Sequence, residues 1–130
     1  TGGNYMSDGM GKAASTNLVY TENSISDSEV DARMEEYLGI TDYITVDDPL
    51  GEYIEHIDCW GKFLDVDKVM IGEVAPGSDN YDDFEAVADY FENHLSSYGT
   101  NYEVYRVYRG QPGRIHCARR RRAGLAAGDR

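Results

Sequence analysis

The sequence predicts an α/β fold built from two consecutive ββαβ units. Two observations carry that expectation. Two segments, 26–39 and 78–99, have apolar residues at helical spacing, with capping residues before them and a glycine after them. Short runs rich in β-formers flank both, and the order reads strand, strand, helix, strand, twice over. The first unit spans about 3–46 and the second about 53–108, a weak internal repeat. At 130 residues the chain is long enough for one modest core. Two such units leave a sheet edge and an apolar helix face uncovered, so neighbouring units of a larger pseudo-symmetric assembly are expected.

Residues 1–11 are glycine-rich, with Gly2, Gly3, Gly9 and Gly11 around Asn4, Tyr5, Met6 and Asp8. They permit close approach of backbone to a neighbour or ligand, but lack the Gly-Lys-Ser/Thr ending of a phosphate loop. Residues 13–20, AASTNLVY, read as a strand. Ser26 and Glu29 form a capping box for a helix carrying Val30, Met34, Tyr37 and Leu38, and Gly39 stops it. YITV at 43–46 is a short strand that Asp47-Asp48-Pro49 ends.

Residues 52–64, EYIEHIDCWGKFL, read as a strand, and KVMIGEV at 68–74 as its hairpin partner. In that strand His56, Asp58 and Trp60 share one face, and Glu55, Ile57 and Cys59 the other. A histidine beside a carboxylate can move protons near neutral pH and hold a cation. Ser78 and Asp79 cap a helix at 81–98, with Phe84, Val87, Ala88, Phe91 and Leu95 on its apolar face and Asp82, Asp83 and Glu85 at its start. YEVYRVY at 102–108 is the closing strand.

The net charge of −12 hides a split. Residues 1–108 hold 5 Lys and Arg against 23 Asp and Glu, whereas 109–130 hold 7 Arg against 1 Asp. The acidic body repels nucleic acid and anionic membrane and attracts cations. The basic tail, 109–130, has no apolar periodicity and is expected to stand outside the fold. No run approaches the roughly 20 apolar residues of a membrane span. The two cysteines, Cys59 and Cys117, make neither a disulfide framework nor a metal set. No cofactor or metal is expected. There is no signal peptide, and the opening TGGNYMSDG reads as the middle of a protein, so further residues upstream are expected.

TGGNYMSDGMGKAAST, followed about forty residues later by DDPLGEYIEHIDCWGKFL, resembles the bacterial, Porphyromonas-type peptidyl-arginine deiminases. Agmatine deiminases are their relatives in the guanidino-group-modifying superfamily. The resemblance covers 1–108. It implies two modules of a five-module ββαβ pentein propeller, with the remaining modules of the catalytic domain as partners. It implies hydrolysis of a guanidinium to a ureido group and ammonia, of peptidyl-arginine or of agmatine. A cysteine thiolate attacks the guanidinium carbon, a histidine shuttles protons, and carboxylates grip the nitrogens. Carried over, His56 is the acid/base and Asp58 binds the guanidinium. Tyr53 and Ile54 line the substrate channel, and Asn4 of Gly-Gly-Asn lies near the same pocket. A secreted or cell-surface location follows for the peptidyl type and a cytoplasmic one for the agmatine type.

Two departures stand out. The family's second guanidinium-binding aspartate lies before Gly-Gly-Asn, outside this sequence. Its nucleophile sits in a His-Cys motif far beyond His-x-Asp, whereas here 57 residues separate Asp58 from His116. Cys117, in RIHCARR, matches that motif superficially and is the candidate nucleophile; Cys59 is expected in the core. A rival reading is a non-enzymatic acidic module that binds cations. Its strongest segment, Asp79-Asn80-Tyr81-Asp82-Asp83, lacks the glycine and closing glutamate of an EF-hand loop and is better read as a helix start.

Overall fold

A computed structural model describes residues 2–51, 53–110 and 117–119, the last three by their backbone. The first sheet has the order β1-β2-β3, from Met6–Ser7, Lys12–Thr16 and Asp42–Val46. Strands β1 and β2 form an antiparallel hairpin. Strands β2 and β3 run parallel, and the crossover between them holds α1 (Leu18–Thr21) and α2 (Asp27–Leu38). The second sheet has the order β4-β5-β6-β7, from Gly61–Asp65, Lys68–Glu73, Glu103–Tyr108 and Cys117–Arg119. Here β4 and β5 are antiparallel, and β5 and β6 are parallel across α3 (Tyr81–Glu92). The ββαβ unit therefore occurs twice, as the sequence predicts, and the fold is mixed α/β.

One core joins both sheets. Ala14, Ile44 and Val46 come from the first, Phe63, Val69, Ile71 and Val104 from the second, and Phe84, Val87, Ala88 and Phe91 from α3. Burying each of the two α3 phenylalanines contributes about 2–3 kcal/mol. Phe63 stacks on Tyr102 at 5.6 Å between ring centres. Trp60 is buried in the same cluster, and its indole N–H donates to Asp48 Oδ1 (2.7 Å). That bond ties the loop after β3 to the second unit.

Several boundaries differ from those the sequence predicts. The strand read at 13–20 ends at Thr16, because Asn17 turns out of the sheet and its backbone N–H donates to Val46 O (2.9 Å). Tyr20 N–H then bonds Asn17 O and closes a helical turn despite the β-formers there. Helix α2 matches closely. Ser26 Oγ accepts from Glu29 N–H, and Gly39 takes the left-handed conformation (φ 68°) that ends the helix. Only half of the capping box forms, since the Glu29 carboxylate accepts from Arg33 Nε (3.0 Å). Helix α3 stops at Glu92 instead of running to 98. Asn93 Nδ2 donates to Asp89 O, and Asn101 Nδ2 donates to Glu92 O, so the chain folds back at once. Leu95, expected on the apolar face, is consequently exposed. The N-cap is Asn80, without a side-chain cap bond, in place of Ser78 or Asp79.

The basic stretch 109–130, which composition sets outside the fold, contributes β7, antiparallel to β6 with Cys117 opposite Val107. Residues 111–116 and 120–130 lie outside the described residues. Among the described residues, no helix is long and apolar enough to cross a membrane.

Candidate active site

The stretch read as one strand, 52–64, divides into three parts. Tyr53 and Ile54 lie in a turn, Glu55 and His56 in irregular backbone, Ile57–Cys59 form a single 3₁₀ turn, and β4 begins only at Gly61. The reason lies in the glycine-rich opening. Gly3 O accepts from Asp58 N–H (3.2 Å), and Asn4 Oδ1 accepts from Ile57 N–H (3.1 Å). These bonds take the place of ladder bonds and draw the segment across the first unit. Cys59 N–H donates to His56 O and Trp60 N–H to Ile57 O, which closes the 3₁₀ turn. The expected two faces therefore do not exist: Trp60 is buried away from solvent, and Cys59 Sγ lies 3.8 Å from Asp58 Oδ1.

His56 is half-buried and extended (φ −95°, ψ 136°) at the head of the turn, so it is not part of the apolar core. Asp58 is exposed, while Ile57 between them is fully buried and anchors the turn. The Asp58 carboxylate lies directly over Gly3, where a Cβ would collide with it. Glycine is required there by close approach. Thr16, at the end of β2, donates its hydroxyl to Glu55 O (2.5 Å), and Glu55 holds φ at +48°. Arg109 donates to Cys59 O, and its guanidinium lies 5.9 Å from the Phe84 ring centre. The turn thus presents an imidazole and an open carboxylate two residues apart, on backbone fixed from the first unit.

A match to the model of the Porphyromonas-type peptidyl-arginine deiminases runs over residues 1–124. The chain belongs to this family. The match continues past Tyr108, where the resemblance read from the motifs stops, and so takes in β7. Solved structures agree on the fold. A protein provisionally described as an arginine deiminase from Porphyromonas gingivalis superposes with a TM-score of 0.73 at 20% identity, over 82% of this chain and 34% of that one. The agmatine deiminase of Enterococcus faecalis gives 0.69 at 16% identity, over 82% and 31%. That of C. jejuni gives 0.62 at 16%, over 82% and 32%. The chain spans about a third of the length of these structures. The family is that of the Porphyromonas-type peptidyl-arginine deiminases, and the fold is one that solved structures described as arginine and agmatine deiminases share.

Within this deiminase framework the remaining candidates sort as follows. Tyr53 is 97% exposed and Ile54 is also exposed, both on the turn leading to His56. Asn4 is buried, with its Oδ1 shared between Thr16 N–H (2.9 Å) and Ile57 N–H. It also lines a cavity of about 440 Å³ with Val19, Glu22 and Asn23. The backbone of Cys117 lies in β7; His116 is outside the described residues. Cys59 is half-buried and packs against the core. Asp47, Asp48 and Asp83 line a separate cleft of about 380 Å³ with Tyr90. Among the described residues no group of three or more His, Cys, Asp or Glu is set to hold a metal ion. Sequence reasoning missed Thr16 and Glu55; a threonine ending a strand and a glutamate in a turn carry no signal of their own.

Proposed function

We propose that the protein carrying this chain is a protein-arginine deiminase, converting the guanidinium of peptidyl-arginine to the ureido group of citrulline with release of ammonia. The observation that carries this reading is the 56–58 turn: a histidine and an open carboxylate, locked over Gly3, in a chain of the peptidyl-arginine deiminase family. Asp58 accepts hydrogen bonds from the guanidinium nitrogens, a charge-assisted contact that fits the planar fork. A cysteine thiolate adds to the guanidinium carbon, forming a C–S bond. His56 passes a proton to the departing nitrogen as the C–N bond breaks, and ammonia leaves. Water, deprotonated by His56, then attacks the thiouronium carbon, the C–S bond breaks, and the ureido product and thiolate are released. The family carries this cysteine in a His-Cys motif far beyond His-x-Asp, so the nucleophile is expected from the other modules; Cys117 matches that motif only superficially, and Cys59 is a core residue. The other modules of the catalytic domain supply the remaining walls of the site.

A second substrate has a specific observation in its favour. Agmatine deiminases share the fold at comparable TM-scores. The open Tyr53 and Ile54 supply apolar contact area beside the site and favour a peptide over a free small amine.

The test is a ureido-product assay on the complete protein, with arginyl peptides and agmatine compared. His56→Ala is expected to abolish turnover. Asp58→Asn keeps the shape, loses the charge that grips the cation, and costs at least about a hundredfold. Cys59→Ala leaves turnover largely intact, and this chain alone, without the other modules, is expected to bind guanidinium weakly and not to turn it over. Turnover that survives His56→Ala, or dies only with Cys59→Ala, overturns these roles. Faster turnover of agmatine than of every arginyl peptide transfers the assignment to the small substrate.

A further inference from the structure

Resting on the deiminase reading of the 56–58 turn, we propose that Asn4 and Thr16 are positioning residues that set the place of His56 without touching the substrate. Both act on the backbone of its two neighbours. Asn4 Oδ1 accepts from Ile57 N–H on one side of His56, and Thr16 Oγ1 donates to Glu55 O on the other. The two clamps are themselves joined, because Thr16 N–H donates to the same Asn4 Oδ1 (2.9 Å). Asn4 is only 5% exposed and Thr16 only 1%, so neither bond competes with bulk water.

The joint they hold is strained. Glu55 sits at φ +48°, a left-handed conformation that glycine adopts freely and a glutamate does not. Strain of this kind persists only where surrounding contacts over-determine the backbone. Here the Thr16 hydroxyl bonds the carbonyl of that same residue. Release of either clamp lets residues 55–57 relax and moves the imidazole at 56. A displacement of about 1 Å at a catalytic group costs up to about a hundredfold in rate.

The experiment uses the complete protein and four variants, with His56→Ala as reference. Thr16→Val keeps the shape and loses the hydroxyl; Thr16→Ser keeps the hydroxyl. Asn4→Ala removes the shared acceptor; Asn4→Asp keeps an oxygen at that place. Thr16→Val and Asn4→Ala are expected to lower kcat about tenfold or more, with KM changed less and the pH limbs of kcat unmoved. Thr16→Ser and Asn4→Asp should return most of the loss. Hydrogen exchange of a peptide spanning 53–59 should quicken in Thr16→Val and Asn4→Ala and stay slow in Thr16→Ser. Should Asn4→Ala fail to fold, Thr16→Val decides the matter. The proposal is overturned if Thr16→Val keeps the parent kcat while His56→Ala is dead. If His56→Ala itself stays active, the site assignment fails instead. Exchange then decides the clamp on its own, and an unchanged rate in Thr16→Val rejects it.

Discussion

Gly3 has no room for a side chain, because the Asp58 carboxylate occupies the place of its Cβ. Gly3→Ala must therefore push Asp58 off its seat or break the Asp58 N–H bond to Gly3 O. The proposed role of Asp58 as the carboxylate that binds the guanidinium predicts a loss of ureido formation of about tenfold or more in the complete protein, with the larger share in KM. An unchanged KM would show that Asp58 does not hold the substrate. Glu55→Gly gives the contrary pairing. It relieves a left-handed backbone worth about 1–2 kcal/mol but adds about 0.5–1 kcal/mol of unfolded-state entropy. Thermal melting should rise slightly or hold while kcat falls, because the joint beside His56 loosens. At this scale the sequence marks candidates by chemical type and carries no record of their contacts. His56 and Asp58 stand out by chemical type. Asn4 stands out only through its motif, and its bonds to two backbone amides depend on where residues 16 and 57 meet.

Elements were legible where local pattern and packing agree. Helix α2 starts at Ser26 and ends at Gly39, as capping chemistry dictates. Its apolar spacing misleads beyond Val30, since Tyr37 and Leu38 are exposed on this chain. The 52–64 stretch fails as a strand because its partners are Gly3 and Asn4, some fifty residues away, and periodicity carries no record of them. Strand β6 hides another tertiary feature. YEVYRVY reads as an ordinary strand, yet Arg106 is buried, donating to Glu85 Oε1 on α3 (2.7 Å) and to Gly72 O on β5 (2.9 Å). The pair locks helix to sheet and carries a desolvation cost. Glu85→Ala should destabilise by about 3 kcal/mol, since it strands a buried guanidinium. Replacement of both residues by apolar ones of similar volume should cost much less. Denaturant melts of single and double variants test this, and additive losses would rule out a coupled pair.

At the scale of the whole molecule, the two ββαβ units are held together by the core and by a polar seam at the start of β3. Asp42 accepts from Lys12 on β2 and lies 3.1 Å from His94 Nε2, which follows α3. Tyr90 and Tyr102 stack against His94, and nearby Ser97 donates to Asp8 on the β1–β2 turn. Burial alone raises the pKa of Asp42. The hydrogen bonds and charges of Lys12 and His94 outweigh it and hold the carboxyl below the usual carboxylate range. The folded chain therefore gives up this proton more readily than the unfolded one. The stability so gained is complete above the unfolded carboxylate pKa and is lost as pH falls through the lower folded value. Because Asp42 is about a third exposed, the seam contributes only about 0.5–1 kcal/mol. Melting temperature followed from pH 6 down to pH 3 should fall for the parent. Asp42→Asn should melt lower at pH 6 and decline less steeply, so that the two curves converge in acid. Lys12→Met should shallow the same limb, because it removes a cation that lowers the Asp42 pKa. Parallel curves for parent and Asp42→Asn would mean that the acid limb belongs to other carboxylates and that the Asp42 seam adds nothing measurable to the joining of the units.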